Sequence, residues 1–120
     1  MPVSHHIDLR GGVVYSVFEG HVTNEELLDH QQRLAADPDF RPTLNHVIDT
    51  RAVEDVSVTA FGLRLLTTRS SLGPGSRRAV IAGDASSSYV RMFQILRSQS
   101  GADIEVFSTV EDAHRWLGLE

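Results

Sequence analysis

The sequence has no cysteine and no lysine; all eleven of its Lys+Arg positions are arginine. Without a thiol there is no cysteine nucleophile, no thiolate zinc site, no iron–sulfur ligation and no disulfide. Without lysine there is no Schiff-base catalysis and no P-loop lysine. Aromatic residues make up 7% of the 120 residues, and no apolar run approaches the roughly 20 residues needed to cross a bilayer. The opening Met1-Pro2-Val3-Ser4-His5-His6 has neither the basic nor the apolar stretch of a secretory signal, so the expected location is cytoplasmic. Hydrolase and cofactor signatures are missing as well. No G-x-S-x-G is present, and Gly73-Pro74-Gly75-Ser76 lacks the strand-then-helix setting that exposes a nucleophile. No cofactor and no catalytic residue is expected.

What is present fits one globular domain over residues 1–120. The hydrophobic fraction is 41% and the charged fraction 22%, ordinary values for a chain able to bury a core. Ser4 to Leu9 and Gly12 to Glu19 read as strands joined by the Gly11-Gly12 turn, a β-hairpin. Thr23 and Glu26 form a capping box opening a helix that Asp37-Pro38 ends. Its apolar stripe is Leu27, Leu28, Leu34 and Ala35, with Asp29, His30, Gln32 and Arg33 outside it. Alternation then predicts a strand over Leu44 to Asp49 and a helix from Ser57 to about Ser70. A strand over Arg78 to Ala82 and a helix from about Ser86 to Arg97 follow. The chain closes on a strand over Ile104 to Phe107 and a helix capped by Thr109, with Val110, Ala113 and Leu117 on its buried side. The order β-β-α-β-α-β-α-β-α predicts right-handed crossovers and a mostly parallel sheet, an α/β fold.

That order resembles the STAS fold of anti-sigma-factor antagonists and, more closely, the SpoIIAA-like (STAS/SEC14) family of small bacterial proteins. The resemblance rests on Val47-Ile48-Asp49, the loop from there to Ser57, and the closing Glu111-Asp112-Ala113-His114-Arg115-Trp116-Leu117. In the antagonists a serine in an Asp-Ser-Ser-Gly-like segment is phosphorylated by a partner kinase. Here that segment falls on Ser57-Val58-Thr59-Ala60, and the matching position is Val58, which has no hydroxyl. The SEC14 side of the resemblance implies binding of a lipid or other apolar small molecule.

Six histidines raise the question of a metal. His5 and His6 are neighbours on a strand and point to opposite faces. His21, His30, His46 and His114 lack the spacing of a local chelate, so no metal site is expected. The carboxylate pairs Glu25-Glu26 and Glu54-Asp55 suit a helix start and a solvated loop. A ligand is best placed in the crevice at the carboxyl ends of the parallel strands. There the candidates are Asp49, Ser57, Thr59, Asp84, Ser86 and Ser87, where helix N-termini offer free N–H groups; helix caps need the same residue types.

Charge is segregated along the chain. Residues 56–102 carry six arginines against Asp84 alone, a net +5, while the remainder carries five arginines against fifteen acids, a net −10. The basic segment is also rich in apolar residues: Val58, Phe61, Leu65 and Leu72, then Tyr89, Val90, Met92, Phe93, Ile95 and Leu96. A helix apolar on most sides must be covered by something. The expected partner or membrane surface is therefore Phe61, Arg64, Leu65, Arg69, Tyr89, Arg91, Phe93 and Arg97. Its occupant is an apolar small molecule or lipid, an anionic membrane surface, or a second copy in a homodimer. Nucleic acid is not expected, because the net charge is −5 and the basic stretch matches no nucleic-acid motif. The expected function is a non-enzymatic SpoIIAA-like module that binds through its second and third helices. The alternative is a STAS-type regulator that contacts a switch kinase or anti-sigma factor.

Overall fold

The computed structural model describes residues 3–41, 43–57, 76–82 and 103–119. Five strands form one sheet in the order β1-β2-β3-β4-β5: β1 (Val3–Asp8), β2 (Val13–Thr23), β3 (Asn45–Ser57), β4 (Arg77–Ile81) and β5 (Asp103–Phe107). The β1–β2 pair is the antiparallel hairpin, and the three other pairings are parallel. Helix α1 (Asn24–Ala36) and helix α2 (Val110–Leu117) complete the described elements. The expected middle helices, Ser57 to Ser70 and Ser86 to Arg97, lie largely outside the described residues.

The local chemistry of each turn and cap explains where elements begin and end. In the hairpin the Asp8 carboxylate accepts the backbone N–H groups of Arg10 and Gly11, and Gly12 takes the left-handed φ of 67° that a side chain would resist. Thr23 caps α1 by accepting the Glu26 N–H at 3.3 Å, and Asp37 leaves the helix at an extended ψ of 127°, as a residue before proline must. Thr109 caps α2 in the same manner, and Gly118 at φ 77° turns the chain off its end.

The strands alternate cleanly between two covered faces. On the α2 side, Val13, Val47, Ala79 and Ile81 pack with Ala113 and Leu117. Tyr15, Phe107 and Trp116 close the edge of this cluster, and the Arg77 guanidinium lies 5.4 Å from the Trp116 ring centre. On the α1 side, Val14, Leu34 and Leu44 form the apolar cluster, with Ile7 and Phe40 against it. The sheet is buried on both sides, which is the setting that parallel strands require.

Two expectations are corrected. Strand β3 does not stop at Asp49 but continues to Ser57, and β2 does not stop at Glu19 but continues to Thr23. The two strands stay paired along this extension, out to Thr23 opposite Ser57, through register shifts at Val17/Glu19 and Gly20/His21. Gly20 at φ 64° supplies the irregular backbone. Among the described residues β4 pairs with β3 from His46 to Asp49, and beyond Asp49 β3 pairs with β2 as a two-stranded ribbon.

Candidate functional site

Asp49 and Ser57 are the two crevice candidates that fall among the described residues. Both sit on β3, eight residues apart, roughly 26 Å at the rise of a strand. One small ligand therefore does not touch both. Asp49 lies inside the strand rather than at its end, and its carboxylate is held by Arg51 through two side-chain bonds of 3.0 and 2.8 Å and by the Arg51 backbone N–H. The Arg51 hydrogen bonds hold its pKa below the ordinary carboxylate value. Ser57 is the last residue of β3, and the helix expected to follow it lies outside the described residues. Thr59, Asp84, Ser86 and Ser87 lie outside the described residues. So do Phe61, Arg64, Leu65, Arg69, Tyr89, Arg91, Phe93 and Arg97, and with them Val58.

The densest grouping of chemistry-bearing side chains lies elsewhere, under α1. Ser16 on β2 accepts or donates one hydrogen bond to His30 Nε2 at 2.8 Å and another to His46 Nε2 at 2.7 Å. The three residues are 1%, 4% and 6% exposed. The His30 and His46 rings stack at 6.0 Å, and Phe18 meets His30 edge-on at 5.8 Å. His5 on β1 lies edge-on to His30 at 5.9 Å and binds the Asp37 carboxylate at 2.9 Å. Strand register lines these groups up: His5 is the partner of Ser16, and His46 the partner of Arg78. A polar band thus crosses from β1 to β4, with α1 packed over its β1 and β2 end.

Burial sets the protonation of this band. Loss of hydration is the main force on His30 and pushes its pKa down to about 4, with the nearby His5 and Arg33 charges acting the same way. Burial holds His46 well below the ordinary 6.5, and the guanidinium of Arg78, itself lowered by burial, adds to it. Both rings are neutral at pH 7. A serine flanked by imidazoles suggests nucleophilic catalysis, but a hydroxyl 1% exposed beneath a helix offers a substrate no approach. The node is a structural one.

His6 and His114 form a second, smaller grouping on the opposite face. His114 Nε2 shares a 2.9 Å hydrogen bond with the Tyr15 hydroxyl, and His6 stacks on the Tyr15 ring at 6.3 Å. Burial, with the Asp8 carboxylate second, raises the Tyr15 pKa above 10.0. As expected from strand alternation, His5 and His6 serve opposite faces. Among the described residues no three ligating side chains are placed to hold a metal ion.

The apolar stripe expected for α1, Leu27, Leu28, Leu34 and Ala35, leaves His30 outside it. The buried row is in fact Leu27, His30 and Leu34. A signal was present in β2 and β3: Ser16 interrupts Val14 and Phe18, and His46 interrupts Leu44 and Ile48, each on an otherwise apolar alternate face. A polar residue in such a row needs a buried partner.

No family model and no curated protein matches the sequence. Solved structures that share its fold include the following two. One is an uncharacterised protein with a SpoIIAA-like fold from Shewanella loihica, 19% identical, with 96% of this chain and 93% of that one covered at a TM-score of 0.66. The other is an anti-sigma factor antagonist from Mycobacterium paratuberculosis, 20% identical, with 97% and 94% covered at a TM-score of 0.62. The fold is SpoIIAA-like, a mixed α/β architecture on a five-stranded sheet.

Proposed function

We propose that this chain is a non-enzymatic regulator of STAS type that acts by binding another protein. The observation that carries the reading is the match, along 97% of the chain, to the fold of an anti-sigma factor antagonist. The chemistry of the described residues agrees with it. The Ser16–His30–His46 node is sealed beneath α1, and Asp49 is occupied by Arg51, so the polar groups brought together serve the scaffold. The partner is a kinase-type anti-sigma factor. Val58 stands where the phosphorylated serine of the antagonists falls, so the contact is not switched by phosphate at that position. Titration calorimetry of the purified chain against the anti-sigma factors encoded by its host tests this. A one-to-one complex supports the reading, and heat of dilution alone with every one of them ends it.

A second reading follows from charge. The +5 stretch over residues 56–102 combines arginine with apolar residues in a chain whose remainder is −10. Its Phe61, Arg64, Leu65, Arg69, Tyr89, Arg91, Phe93 and Arg97 would meet an anionic lipid surface, each cation near the leaflet contributing about 1 kcal/mol. Among the described residues no helix is long and apolar enough to cross a membrane, so such contact would be peripheral. Co-sedimentation with anionic and with neutral vesicles separates the two readings. Binding to anionic vesicles that Arg64→Gln and Arg91→Gln weaken supports the lipid contact, and equal or absent pelleting with both ends it. Homodimerisation through the same segment would appear as a doubled mass in sedimentation equilibrium.

A further inference from the structure

We propose that the buried Ser16–His30–His46 node is an acid-sensitive latch that holds helix α1 on the sheet at neutral pH and releases it as the pH falls toward 5. The node is well placed for this, because the Ser16–His30 hydrogen bond ties α1 to β2, on which it packs, and the Ser16–His46 bond carries the tie on to β3. The hydrogen-bond inventory makes it sensitive to one added proton. A hydroxyl has a single proton, so Ser16 donates to one Nε2 and accepts from the other ring, which must carry its proton on Nε2. With either ring as donor, the neutral node is complete. When the accepting ring takes up a proton, both Nε2–H groups point at Ser16 Oγ, and the hydroxyl proton loses its partner inside a site only 1% exposed.

The surroundings offer an imidazolium little relief. From β1 the node faces His5, from β4 Arg78, and from α1 itself Arg33, and each works against a positive charge on these rings. Among the described residues, the acids nearby are engaged. Asp29 pairs with Arg33 at 2.8 Å, and Asp37 is held by His5 and the Asp39 N–H. Two stacked imidazoliums 6.0 Å apart would also repel each other. Opening α1 hydrates both rings and removes all of these penalties at once, so the proton and the helix compete for the same site. Helix α2 has no such tie: its histidine contact, His114 with Tyr15, is only part-buried. The two faces of the sheet are therefore expected to respond differently to acid.

Hydrogen–deuterium exchange of the full chain, expressed as protection factors at pH 7 and pH 5, tests the latch. An open form whose His30 titrates at the ordinary 6.5 gains about 20-fold in population over this interval relative to a closed form titrating at about 4. Protection of Asn24–Ala36 is thus expected to fall at least tenfold while that of Val110–Leu117 holds. The His30→Gln/His46→Gln pair, which keeps polar side chains but cannot titrate, should abolish the fall, and His114→Gln should leave it intact. Equal loss of protection in both helices, or a fall that survives the paired substitution, overturns the latch. If the paired variant does not fold, the wild-type imidazole resonances decide. A His30 ring that stays neutral until α1 opens supports the latch, and a His30 that protonates near 6.5 with α1 still protected overturns it. None of these outcomes depends on the partner proposed above.

Discussion

His30 and His46 come from a helix and a strand sixteen residues apart in sequence, yet their rings stack at 6.0 Å and direct their Nε2 atoms to one hydroxyl, that of Ser16. The first consequence of this arrangement concerns Ser16. Replacing it by alanine leaves two buried imidazole nitrogens without a partner, which costs about 1–3 kcal/mol. Urea unfolding at pH 7 should show that loss for Ser16→Ala, with Ser4→Ala, at an exposed site on β1, unchanged within about 0.5 kcal/mol. Equal stability of the two variants would show that the node does not hold the fold together.

Stability should also depend on pH in a defined direction. The folded-state pKa of His30 lies at about 4, below the ordinary 6.5 of the unfolded chain. Above 6.5 neither state holds the proton and the term is flat. As pH falls through 6.5 the unfolded chain takes up a proton that the folded node refuses, and stability drops by about 1.4 kcal/mol per pH unit until pH about 4. Between pH 7 and pH 5 His30 alone then removes about 2 kcal/mol, and His46 acts in the same direction. The lowered carboxylates Asp37 and Asp49 add their loss only below about pH 4. Urea midpoints at pH 7, 6 and 5 check the slope, which should flatten in His30→Gln.

Asp49 is expected to matter little. Its pair with Arg51 is partly solvent-exposed, with side-chain exposures of 50% for Arg51 and 24% for Asp49, and such pairs contribute about 0.2–1 kcal/mol. Asp49→Asn should therefore shift the urea midpoint slightly and leave any partner affinity unchanged. A tenfold loss of affinity would place Asp49 in the binding site.

Gly20 should tolerate added volume but not a changed backbone. A Cβ there meets nothing within 4 Å, while the φ of 64° is costly for any L side chain. Gly20→Ala is expected to lose about 1–2 kcal/mol through strain alone. A crystal structure of the variant should show the β2–β3 register shift either retained or relaxed into a regular ladder, with the ribbon shortened in the second case.

The class of fold is readable from residue order alone, because the signals involved are local. Alternating β-branched residues, the Gly11-Gly12 turn, the threonine caps and the Asp37-Pro38 stop each act within a few residues. All five expected strands, the hairpin and both described helices stand where those signals put them. Strand ends were less legible: β2 and β3 run on past Glu19 and Asp49 because each supplies hydrogen bonds to the other, a mutual condition that neither stretch states alone. The same holds for the histidines. No spacing links His5, Ser16, His30 and His46; they meet because antiparallel and parallel register bring β1, β2 and β3 side by side, and α1 lays one turn of its buried row on top. Whether a histidine is a solvated surface group or a neutral ring with a pKa near 4 is a question of what surrounds it, and only tertiary packing removes the water that would otherwise keep it at its ordinary value.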